Sequence, residues 1–293
     1  MLWEGLSLIE IYLQNKLDRY DLLTNFKAGL QAFIKNEEVE LSEVSDKLFI
    51  KVDDTVDFNE TIKPALTKVL KKHVVETKED AWLLDIIENI FFYENEEEQS
   101  HILVMAKSIL AGERLDLPNV TKLFSTEKII EDAFNTFLTR DCNFCYDSFL
   151  TFRLRGYLDK LIDCVEMAID EFRLEQEYQN LLESLRFYLK KRLPRLNCVH
   201  LVIDKEIFFY DEFFQPISDE KLETFLDREI VFEKEIPIQE MVISPLVSIA
   251  PKEVHLYSND IDSGVIHSIQ NIFQEKVQIY SKSVFEKKNY KMH

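Results

Sequence analysis

The chain is poor in glycine. Five glycines (Gly5, Gly29, Gly112, Gly156 and Gly264) are scattered through 293 residues, under a third of the roughly 7% usual in soluble proteins. None are spaced as GxGxxG or GxxxxGK[ST], the loops that bring successive backbone amides against a phosphate, so nucleotide sites of those two designs are excluded. A GxSxG nucleophile elbow is also missing. Long apolar runs are absent too. The richest, Met241 to Ala250, is broken by Pro245 and falls well short of the ~20 residues that span a bilayer. The opening MLWEGLSLIE carries Glu4 and no basic segment, unlike a secretory signal. The four cysteines (Cys142, Cys145, Cys164, Cys198) are therefore expected to be reduced thiols in a cytoplasmic protein. Bases are outnumbered, 35 against 54 acids, for a net charge of -19. Such a surface repels polyanions and argues against a general nucleic-acid binder.

What is present is a heavy aromatic load, 22 Phe and 11 Tyr, in a chain long enough to bury a large core. The segment from Phe149 to Leu189 dominates. Leu158, Leu161, Ile162, Val165, Ala168, Ile169, Phe172, Tyr178, Leu181, Leu182, Leu185 and Leu189 recur at the spacing of one helix face, with charges opposite. The stripe is interrupted at Glu175-Gln176, which predicts a kink or a change of packing partner there. Before it, Leu8–Leu13 and Lys47–Asp53 alternate like strands. Tyr20–Ile34 and Asn59–Val75 read as helices, giving a βαβα-like order. Further helices are expected over Ala81–Tyr93, His101–Leu110 and Thr126–Leu138, with the acidic Glu94–Glu98 as a solvated loop or helix end. After Pro194 strands return at Cys198–Asp204, Ile207–Tyr210, Glu253–Tyr257 and Val277–Tyr280. Helices are expected at Ser218–Leu226, Ile238–Ile249 and Ser263–Phe273. The expected architecture is α+β: a small lobe over residues 1–78, a helical region with the long amphipathic helix over 79–195, a C-terminal α/β lobe over 196–284, and a loose basic tail over 285–293.

Residues with chemical potential are sparse. Cys142 and Cys145 form a lone CxxC. A zinc site needs two further ligands, and no second CxxC or HxxxH accompanies it, so packing thiols are the favoured reading and metal binding the alternative. Cys164 and Cys198 could join only if the fold delivered them. The six histidines (73, 101, 200, 255, 267, 293) are scattered; His200 and His255 fall on expected strands, where a structural role is the commoner one. Arg153 and Arg155 could bind an anion or pair with Asp170, Glu171 and Glu175, and pairing is favoured because Arg suits carboxylates. The cations Lys190, Lys191, Arg192 and Arg195, and Lys68, Lys71, Lys72 and His73, suit helix C-termini. No catalytic residue and no cofactor site stand out.

Phe149, Phe152, Arg153 and Leu154, followed by Tyr157, Ala168, Asp170, Glu171, Glu175, Glu177, Tyr178 and Leu181 to Leu185, resemble the signature of the YtxC-like sporulation protein family of endospore-forming bacteria. Met241 to Lys252 is similar to the family's ISxLIxxAPxxI stretch, and Ile272 to Val277 to its IFxxxV close. The resemblance implies a cytoplasmic protein linked to sporulation and supplies no catalytic residue, cofactor or substrate. The expectation is a protein that acts through a protein partner, with Phe152, Arg153, Arg155, Tyr157, Asp170, Glu171 and Tyr178 as interaction or structural signature. Two alternatives stand beside it: a Cys-based metal-binding enzyme or regulator, and a nucleic-acid-linked regulator using Arg153, Arg155 and the Lys190 to Arg195 cluster.

Overall fold

Two mixed four-stranded sheets with their helices organise the computed structural model, which describes residues 6–117, 126–226 and 237–289. It is an α+β fold, mainly helical in its middle. The chain divides into two compact units, Met1–Leu174 and Glu175–His293, and each has its own hydrophobic core.

The first unit contains β1 (Leu6–Tyr12), α1 (Lys16–Gly29), α2 (Gln31–Lys35), β2 (Val39–Val44), β3 (Lys47–Asp53), α3 (Lys63–Thr77), α4 (Glu79–Asp85), α5 (Glu96–Leu110), α6 (Thr126–Phe137), β4 (Cys142–Cys145) and α7 (Tyr146–Arg153). The sheet order is β2-β3-β1-β4. Period-two alternation puts Ile9 and Ile11 of β1 opposite Ile50 and Leu48 of β3, all buried. β3 is entered through a hairpin with β2, so the first third is βααββα rather than βαβα. β4 then joins β1 in parallel, pairing Ile9 with Cys142 and Ile11 with Phe144. The CxxC thus forms a short strand between α6 and α7.

Helix starts follow capping chemistry. Asn15 accepts from the Leu17 and Asp18 amides ahead of α1, and Asn95 from Glu97 and Glu98 ahead of α5. Glu96, Glu97 and Glu98 thereby form the first turn of α5, where carboxylates complement the helix dipole. Pro64 falls in the first turn of α3, where its missing N–H costs nothing. Gly29 lets α1 approach α3: a Cβ there would lie 2.7 Å from Val69 Cγ2.

The long helix α8 (Arg155–Lys191) carries the amphipathic stripe. Tyr157, Leu161, Cys164, Val165, Ala168, Ile169 and Phe172 are buried in the first core. Arg173 to Glu177 are exposed on every side. Leu182, Leu185 and Leu189 are buried in the second core, so the interrupted stripe marks a change of packing partner.

The second unit continues with β5 (Cys198–Ile203), β6 (Ile207–Tyr210), α9 (Asp219–Phe225), α10 (Pro237–Ile249), β7 (Glu253–Tyr257), α11 (Gly264–Phe273), β8 (Val277–Tyr280) and α12 (Lys282–Asn289). The order is β6-β5-β7-β8. β5 and β6 form an antiparallel hairpin, whereas β7 runs parallel to both β5 and β8. Val199, Leu201, Ile203, Val254 and Leu256 face the core with α10 and α11. The other sheet face carries the alternate residues of each strand. Where a loose tail was expected, α12 instead buries Phe285 against Phe214 and Tyr257. Residues 290–293 lie outside the described residues.

Candidate functional site

The residues singled out by sequence distribute over both units. Phe149, Leu154 and Tyr157 are core. The Tyr157 hydroxyl donates to Glu79 Oε2, and burial raises the pKa of both groups. Phe152 is 78% exposed. Arg153 lies over the Phe137 ring, 5.7 Å from its centroid. Glu171 receives Arg114 at 2.8 Å, and Asp170 is exposed. The pairing expected between Arg153 or Arg155 and these acids does not form among the described residues. The reason is length: fifteen residues of α8 separate Arg155 from Asp170, about 22 Å at 1.5 Å per residue. Tyr178 packs against the second core and its hydroxyl lies 3.4 Å from Asn271 Nδ2.

The cationic clusters are engaged locally. Lys71 bonds Glu131 at 3.1 Å, and Lys72 lies near Glu76. Lys191 and Arg192 sit over the rings of Phe187 and Tyr188. Arg195 donates to the Phe225 carbonyl. Cys142 shares the inward side of β4 with Phe144 and packs on the first core. Cys145, an odd number of residues on, points the other way. Cys164 is buried, donates to the Ala106 carbonyl, and has its pKa pushed up to about 12 by burial.

A cleft of about 540 Å³ is lined by Asp54, Asp57, Lys63 and Arg140. Its Arg140 is held by the Asp54 and Val56 carbonyls.

The arrangement with most chemical content lies on the second sheet, on the face turned from its apolar core. Cys198 and His200 are two apart on β5 and so share that face. The parallel register sets His200 beside His255 of β7, and Val202 beside Tyr257. Cys198 Sγ lies 3.7 Å from His200 Nε2 and 3.6 Å from His255 Nδ1. One donor atom from each of the three residues falls within 4.8 Å of the others. Among the described residues this is the one such group of three.

Each imidazole has a polar group near its far nitrogen. His200 Nδ1 is 3.1 Å from the Tyr257 hydroxyl, and His255 Nε2 is 3.4 Å from Glu253 Oε2. The His200 ring stacks on Phe214 with centroids 4.1 Å apart; His255 meets Tyr280 edge-on. Phe214 adopts φ 60°, a left-handed conformation unfavourable for a bulky residue. The turn that imposes it is fixed by Asp211, whose side chain accepts from the Phe213 and Gln215 amides. Burial, then the neighbouring Cys198, raises the Tyr257 pKa, so that hydroxyl stays neutral.

Sequence reasoning named Cys198, His200 and His255 without joining them. The available signal was C-x-H on a strand whose alternate residues are Val, Leu and Ile, with a second His at the middle of the strand EVHLY.

A model of the YtxC-like family matches residues 64–278. The Bacillus subtilis (strain 168) protein printed as "Uncharacterized protein YtxC" is 37% identical over 218 residues, 74% of this chain and 77% of the relative. No solved structure matches the chain.

Proposed function

The chain belongs to the YtxC-like family, and from that premise we propose that it is a cytoplasmic, sporulation-associated protein that works by holding a protein partner. The observation that carries this reading is the split within one short segment. Phe149, Leu154 and Tyr157 are buried, while Phe152 between them is 78% exposed, with exposed Arg153 and Arg155 beside it. Aromatic and arginine side chains are the types that dominate binding hot spots. On a chain of net charge -19 this is a locally positive, apolar spot, suited to an acidic surface of another protein. The proposed setting is sporulation, as the signature's resemblance implies.

A photo-crosslinking residue placed at position 152 in an endospore-forming host tests it. One dominant adduct during sporulation, lost on Arg155→Glu, is the expected result. Phe152→Ala should leave stability within about 0.5 kcal/mol, since the residue is 78% exposed. No adduct, or adducts indifferent to Arg155→Glu, would overturn the reading.

A further inference from the structure

The geometry points to a zinc(II) site built from Cys198, His200 and His255 in the second unit. Three independent features carry it. The first is spacing. Tetrahedral zinc with Zn–S near 2.3 Å and Zn–N near 2.0–2.1 Å sets its sulfur and nitrogen ligands roughly 3.6 Å apart. The two sulfur–nitrogen separations are 3.7 and 3.6 Å, so an ion can enter with little movement of the side chains.

The second is the outer partners. Metal-ligating histidines direct their far ring nitrogen at a carboxylate, backbone carbonyl or water, which orients the ring and leaves the near nitrogen's lone pair for the metal. His200 Nδ1 has the Tyr257 hydroxyl at 3.1 Å, a group able to accept from it, and His255 Nε2 has the Glu253 carboxylate at 3.4 Å, an ion-pair distance. The near nitrogens, His200 Nε2 and His255 Nδ1, are the two that face the sulfur. The third is preorganisation. The ligands stand on paired strands rather than a loop, His200 is 4% exposed, and its ring is clamped by a phenylalanine held at positive φ.

One thiolate and two imidazoles suit a borderline ion such as zinc, whereas magnesium and calcium seek oxygen ligands. Three protein donors leave one tetrahedral position for water or an exogenous ligand. Binding converts the Cys198 thiol to thiolate and releases its proton, so affinity rises with pH. The CxxC plays no part: Cys142 and Cys145 lie in the first unit on opposite sides of a four-residue strand.

Titration of the reduced, metal-free full-length protein with cobalt(II) as spectroscopic probe, then competition with zinc, tests the assignment. The expected result is one equivalent bound, with the intense visible bands of tetrahedral cobalt and a thiolate-to-cobalt charge-transfer band, both displaced by zinc. Cys198→Ser abolishes the charge-transfer band, and Cys142→Ser with Cys145→Ser leaves it intact. Tyr257→Phe weakens zinc by about 10-fold, the low end for loss of an outer partner, without changing the spectrum. If Cys198→Ser fails to fold, zinc should still protect Cys198 of the wild-type protein from alkylation, read by peptide mass spectrometry. No tetrahedral spectrum, a charge-transfer band lost with Cys142 and Cys145 instead, or unchanged Cys198 alkylation with zinc would each overturn the site.

Discussion

In the first unit His73 meets the Tyr146 hydroxyl at 2.8 Å; in the second, His200 meets the Tyr257 hydroxyl at 3.1 Å. All four side chains are buried. What differs is the group at the other ring nitrogen. His73 Nε2 lies 3.7 Å from the Asp18 carboxylate, which also takes Lys78. The groups run tyrosine hydroxyl, imidazole, carboxylate, ammonium. It is a polar network whose members are one another's partners. On the second sheet His200 Nε2 faces a sulfur, and a second imidazole nitrogen faces the same sulfur. One potential ligand atom from each of three residues lies within 4.8 Å of the others there. The same His–Tyr pairing therefore closes a core in one unit and presents ligands in the other, and the residue one step further along decides which.

Three experiments break or sharpen that contrast. The largest effect is expected from Asp18→Ala, which leaves the Lys78 ammonium and the His73 imidazole without their shared carboxylate. Loss of one partner of a buried pair costs about 3–5 kcal/mol, read by urea denaturation, and zinc should not restore it. Next is the ligand effect on the second unit. Zinc at a hundred times its Kd should stabilise it by about 2.7 kcal/mol, seen as slowed amide exchange in peptides of β5 and β7 and absent in Cys198→Ser. The smallest is a pH dependence in the first unit. Burial lowers the His73 pKa below its ordinary 6.5, outweighing the pull of Asp18. The unfolded chain then binds a proton that the folded one resists, so this stability is complete above pH 6.5 and declines as pH falls below it. His73→Asn should flatten that decline. An unchanged slope would assign it to other groups.

The parts of the fold that alternate or repeat were readable before any coordinates. β1 and β3 declare themselves by period two, β5 to β8 as short apolar runs, and α8 by its stripe, including the break where Arg173 to Glu177 turn to solvent. β2 was not readable, because VELSEV buries only Val39. β4 was not either: four residues, CNFC, become a strand only by pairing with β1 from the other end of the unit. Nor was α12, where Phe285 is buried with Val284 packed beside it. The candidate site divides in the same way. That Cys198 and His200 share a strand face is local information. That His255 stands beside His200 depends on a parallel pairing across 55 positions, which no spacing rule encodes. The CxxC drew notice because its cysteines are near in sequence, yet three residues along a strand is the spacing that separates side chains.

X-ray absorption at the zinc K-edge of the one-to-one complex tests the central claim most directly, because it counts the ligand atoms. One sulfur near 2.3 Å with imidazole nitrogens near 2.0–2.1 Å is the result that a Cys198–His200–His255 centre requires. Two or more sulfurs, or a shell of oxygen alone, would contradict it.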